Sequence, residues 1–106
     1  MDVIRRDDAV KTEILPGVFK TPKALSDNLE ILELELAPGA ALEPHDMLCR
    51  VTFCVLEGTG VFTYAESRER VPAGDMVTAL AGQVRFWANE EASPVRILVI
   101  KSLREK

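Results

Sequence analysis

The stretch "NLEILELELAPG", residues 28 to 39, alternates strictly, with Leu32, Leu34 and Leu36 on one side and Glu33 and Glu35 on the other. A period of two is that of an extended chain with one face buried and one wet. An amphipathic helix would repeat its apolar positions every three or four residues instead. Pro38–Gly39 then ends the strand. Similar short runs follow: Arg50 to Leu56, rich in Val, Thr, Phe and Cys; "VFTYA" after the glycines at 58 and 60; "MVTAL"; "VRFWA"; and "VRILVIKSL". Breakers separate them, in "VPAGD", "AGQ" and "EEASP", while "ESRER" reads as a polar turn or strand edge. Earlier in the chain, Pro16–Gly17 makes a turn before a short extended piece. With no amphipathic helix among them, these elements predict an all-β sandwich or barrel.

With 106 residues there is material for one hydrophobic core. The expected division is a polar N-terminal arm, 1–12, and a barrel, 13–106. Apolar residues make up 47% and charged residues 28%, and no run approaches the roughly 20 apolar residues that span a bilayer, so no membrane partner is expected. The charged start "MDVIRRDDAVK" leads into no apolar segment, so a secretory signal is not expected. Net charge is −4 and the cations are scattered, against the basic stripe that a nucleic-acid surface needs. Cys49 and Cys54 fall on one extended segment, which puts their Cα atoms about 16 Å apart, beyond disulfide reach. Free thiols fit a reducing cytoplasm.

The punctuation also has a pattern. Gly39, five residues, His45, and then Gly58 resemble the first motif of the cupins, G-x5-H-x-H-x3,4-E-x6-G. Gly74, five residues, Leu80, Gly82, Arg85 and Asn89 fit the spacing of the second, G-x5-P-x-G-x2-H-x3-N, with leucine where proline is usual. Fifteen residues separate Gly58 from Gly74, and "VLEGTGVF" is similar to the family's text. The chain thus resembles the small single-domain cupins of the RmlC-like superfamily, which implies a double-stranded β-helix, or jelly-roll barrel. The resemblance also implies a homodimer, paired through an outward sheet face that carries Cys54 and Phe86.

The family's ligand positions depart from its pattern. Two histidines and a carboxylate of motif one correspond here to His45, Met47 and Val51, and the histidine of motif two to Arg85. Valine has no lone pair to donate, and arginine is a permanent cation that repels a divalent metal. The expectation is therefore no metal and no other cofactor.

Strand parity predicts what lines the barrel. With His45 facing in, Met47, Cys49, Val51 and Phe53 share its face, Cys49 with the least certain register, and Arg85, Trp87 and Asn89 share the facing one. The expected pocket is His45, Met47, Cys49, Val51, Phe53, Arg85 and Trp87: largely apolar, with His45 and Arg85 its main polar groups. Arg85 either anchors a carboxylate or phosphate, or pairs with Asp46 or Glu43, or reaches for the cavity mouth. His45 is either a general base beside a bound acid or a half-buried histidine bonded to backbone. Read as soft ligands, His45, Met47 and Cys49 invite Cu(I) or zinc, but one extended strand spaces them ~6–7 Å apart and only a kink would let them converge. Tyr64 has no clear facing.

Three functions fit these residues. The first is binding of a small organic ligand, anionic where Arg85 is its anchor, in a barrel cavity without the usual cupin metal site. The second is a metal-independent isomerase, epimerase or lyase with His45 catalytic. The third, implied by resemblance alone, is a metal-dependent dioxygenase or sugar-acid enzyme with atypical ligands.

Overall fold

The computed structural model describes residues 1–103, and the last three positions of the expected barrel lie outside them. Every regular element among the described residues is a strand: β1 (Thr12–Leu15), β2 (Val18–Leu25), β3 (Leu29–Leu36), β4 (Arg50–Glu57), β5 (Thr59–Tyr64), β6 (Ser67–Pro72), β7 (Met76–Ala79), β8 (Arg85–Ala88) and β9 (Val95–Ser102). All pairings are antiparallel. They make a six-stranded sheet of order β1-β2-β3-β9-β4-β7 and a three-stranded sheet of order β6-β5-β8. Two facing sheets with strands exchanged between them are the jelly-roll architecture. No helix among the described residues is long and apolar enough to cross a membrane.

Alternation sets which face of each strand is buried. Leu32, Leu34 and Leu36 of β3 stand beside Val99, Ile97 and Val95 of β9, and Val55, Phe53 and Val51 of β4 continue the layer. The opposite face of the same strands carries Glu33 and Glu35, half-buried, where Arg96 clamps Glu33 through Nε at 2.9 Å and Nη2 at 3.2 Å and reaches Glu57 at 3.2 Å. These carboxylate contacts raise the pKa of Arg96, the Glu33 hydrogen bond most of all. Ile31, Leu98, Ile100, Cys54 and Met76 share that outer face, half-buried to exposed.

"ESRER" begins in the turn, at Glu66, and from Ser67 on it pairs with β5 and so forms an edge strand, its arginines reaching Glu90 and Glu91 across the loop after β8. That loop is pinned from inside by the buried Asn89. Its Nδ2 donates to the carbonyls of Leu36 (3.0 Å) and Ser93 (2.8 Å), and its Oδ1 accepts from the Glu91 amide (2.9 Å).

Two glycines of "EGTG" are required for reasons of space. Gly58 turns between β4 and β5 at φ +77°, and a Cβ there would lie 2.4 Å from the Pro94 carbonyl oxygen. Gly60 lies against the Trp87 indole, where a Cβ would meet Cε3 at 2.7 Å and Cζ3 at 2.8 Å. The indole is also hemmed by Phe62 (ring centroids 4.8 Å) and Phe53 (5.5 Å), which restrict its retreat. Gly60→Ala should therefore destabilise the fold by about 1–3 kcal/mol through overpacking, read as a lower urea midpoint at unchanged slope.

Candidate functional site

Between the two sheets lies a cavity of about 420 Å³. Its larger wall comes from the inner faces of β1, β2, β3, β4 and β9, through Ile14, Leu32, Leu34, Val51, Phe53 and Val99. The other wall is β8 together with residues 39–47, which run beside β8 as an irregular partner strand. Gly39 N donates to Asn89 O (2.9 Å), Asn89 N to Ala40 O (2.8 Å) and Leu42 N to Trp87 O (2.9 Å). Further on, His45 and Arg85 exchange both backbone hydrogen bonds, at 3.1 and 2.9 Å.

Ala41 faces Ala88 and His45 faces Arg85, so this stretch fits four steps of chain against three on β8. The extra residue is a bulge at Glu43–Pro44, where proline has no amide to offer a ladder. It lets Leu42 and His45, three positions apart, both lie on the cavity side. Sequence parity alone does not reveal such a shift.

Six of the seven residues expected in the pocket border this one cavity: His45, Met47, Val51, Phe53, Arg85 and Trp87. Cys49 does not. It is buried in the core after the chain bends at Leu48, and it and Cys54 are both free thiols. Tyr64 sits opposite Arg85 on β5, half-buried and stacked on Phe62 (6.1 Å), off the cavity wall. Lys20, Lys101 and Glu43 also line the cavity. Lys20 and Lys101 continue the inward parity of Val18 and of Val95, Ile97 and Val99, a signal present in the sequence but not used.

His45 is exposed at the mouth rather than half-buried. Its Nδ1 lies 3.0 Å from the Glu43 carbonyl, which can only accept. In the neutral ring Nδ1 therefore carries the proton and Nε2 keeps its lone pair.

Arg85 is the deepest polar group. Its residue is 1% exposed, and one nitrogen, Nη1, donates to the Gln83 carbonyl at 3.0 Å. Nε and Nη2 are buried with no hydrogen-bond partner. Neither the expected pairing with Asp46 or Glu43 nor a reach to the mouth is seen: among the described residues Arg85 has no ion pair. Burial lowers its pKa from the ordinary arginine range, while the field of Cys49, Asp46 and Tyr64 works in the opposite direction. Trp87, equally buried, has an unpartnered Nε1.

A family model for the cupin domain matches residues 32–101. The chain is a cupin. No curated protein matches this cupin in sequence. Among solved structures it is similar to KdgF from Halomonas sp. (16% identity, 99% of this chain and 96% of that one, TM-score 0.84). It is also similar to the polyketide cyclase RemF from Streptomyces resistomycificus (19%, 98% and 80%, 0.86) and to a predicted oxalate decarboxylase from Thermotoga maritima (19%, 97% and 100%, 0.87). At these identities the likeness shows the fold alone.

At the four positions where the cupin motifs carry metal ligands, this chain presents an imidazole, a thioether, an isopropyl group and a buried guanidinium. That set does not fit a divalent cation, and no group of three or more His, Cys, Asp or Glu converges among the described residues. The site holds a fixed positive charge where a metal would have been positive. An uncompensated buried charge costs stability, and unmet buried donors cost about 1–3 kcal/mol each. Arg85→Met, close in volume and apolar, should therefore raise the unfolding free energy of the ligand-free protein by about 1–3 kcal/mol in urea titration.

Proposed function

We propose that this cupin binds a small organic anion, a carboxylate, in its barrel cavity through Arg85 and without the family's usual metal centre. The observation that carries the proposal is the guanidinium edge formed by Nε and Nη2: both donors are unmatched and shut away from water. These two N–H groups lie side by side in the planar fork, the arrangement that meets both oxygens of one carboxylate. Around them the walls are mostly aliphatic and aromatic, so a charge-assisted pair formed there is weakly screened. Met47, flexible and half-buried at the cavity wall, is a side chain able to move aside for a ligand.

A second reading, a metal-independent isomerase, epimerase or lyase, is favoured by one feature. The Nε2 lone pair of His45 belongs to a residue lining the cavity that Arg85 also lines, and the backbones of the two are hydrogen-bonded. A carboxylate held by Arg85 would then have a base at the cavity mouth.

Both readings face the same measurement. A panel of short carboxylates at ten times Kd should raise Tm by roughly 5–10 °C, and Arg85→Gln should abolish the shift. Turnover lost in His45→Ala with binding retained selects the enzyme. Stoichiometric metal in the purified protein that vanishes in His45→Ala overturns both. The proposal includes a symmetric dimer through the outer face of the six-stranded sheet, where Leu98, Ile100, Cys54 and Met76 cluster. Sedimentation equilibrium should show a dimer that Leu98→Glu dissociates.

A further inference from the structure

The charged side chains along the cavity are not all met in the same way. Those that line it are Lys20, Glu43, Arg85 and Lys101. Lys101 stands on a rung of the large sheet between Glu30 and Val51, and Glu30 lies beside it at 3.5 Å, so its charge is paired within the fold. Glu43 is exposed on the bulged segment, where water serves its carboxylate. Arg85 is buried with two donors unmatched. Lys20 remains.

Lys20 occupies a core position of the strand pattern. Val18, two residues earlier on the same face of β2, is fully buried, and Lys20 itself is half-buried. Its rung runs on through Leu34, Ile97 and Val55, all buried and apolar. The rungs on either side, Val18–Leu36 and Pro22–Leu32, offer no charge either. Glu33 and Glu35 on the neighbouring strand belong to the opposite face. Lys20 accordingly has no ion pair among the described residues. Its ammonium can only donate, and its charge is left to solvent at the mouth or to a guest in the cavity.

We infer that the bound anion carries two carboxylates, one in the Arg85 fork and the other at Lys20, as the two ends of a short aliphatic diacid. This rests on the anion-binding reading above and narrows it to a chemical class. Arg85 stands on β8 of the smaller sheet and Lys20 on β2 of the larger, and packed sheets lie about 10 Å apart between backbones. Carboxylates at the ends of a chain of about five or six carbons can divide themselves between two such anchors, whereas carboxylates joined directly stay together on one. The methylenes between them lie against Leu34, Phe53 and Val99, a wall with no polar side-chain atom to serve hydroxyl groups.

The test uses the full chain and two matched pairs of acids, glutarate with pentanoate and adipate with hexanoate, at neutral pH where every carboxyl is ionised. Calorimetry should find at least one diacid bound about three- to tenfold tighter than the monoacid of equal length, the ratio expected of one added, partly exposed charge pair. Lys20→Met should reverse that order, because the second carboxylate then loses water and gains no partner. Lys20→Arg should keep it, and Arg85→Gln should remove measurable binding of all four. Raising the salt should shrink the diacid's advantage, a reading that needs no variant. If the acids bind through Arg85 but neither diacid has an advantage, the inference is overturned and the anion site stands. The same holds if the advantage survives Lys20→Met or is indifferent to salt. If none of the four binds, or if Arg85→Gln leaves their binding unchanged, both are overturned.

Discussion

The backbone pairing of His45 with Arg85 is the contact on which the rest of the site depends. It fastens residues 39–47 to β8, and so makes a wall where the three-stranded sheet would otherwise end. An unpaired β8 edge would need water at its amides, and water there would flood the inner face of Trp87 and Arg85. One added residue at Glu43–Pro44 then brings the imidazole to the same side as the guanidinium. The same short segment therefore closes the barrel, shapes the cavity mouth and places the polar groups that border it.

Within that frame Arg85 takes over an electrostatic position rather than a chemical one. A cupin metal and a guanidinium are both cationic at the centre of an apolar cup, and both favour an anionic guest. The guanidinium differs in having directional donors and no open coordination sites. A guanidinium's geometry matches planar, two-oxygen groups, and it cannot supply Lewis-acid chemistry of its own. The price is a charge held out of water in the ligand-free protein, with one hydrogen bond to Gln83 to offset it. Strained or unsatisfied groups of this kind concentrate where a protein meets its ligand, because the ligand supplies what the fold withholds.

Much of the fold was legible in the chain. The alternation of Leu32, Leu34 and Leu36 survives as three buried side chains in a row, and the parity from Met47 through Phe53 also carries through to the structure. "ESRER" was ambiguous because an edge strand with both faces polar leaves no periodic trace. Cys49 was the weak member of the expected pocket for a related reason. It follows the bend at Leu48, and a side chain beside a bend can share the buried face without reaching the cavity. Lys20 and Lys101 were missed although their parity was available, since lysine is usually assigned to solvent when its stem can lie along apolar wall.

Sequence by itself determined the strand order of polar and apolar faces, the two motif spacings that mark a cupin, and the chemistry at positions 45, 47, 51 and 85. These are local properties, fixed by side-chain identity and by a backbone period of two. Tertiary structure decided that Arg85 finds a single backbone acceptor and that the Trp87 N–H finds none. It also decided that His45 is held at the mouth by a bulge. Each of these depends on what lies across a sheet or across the barrel, and the unmatched state of a donor is a property of every neighbour at once.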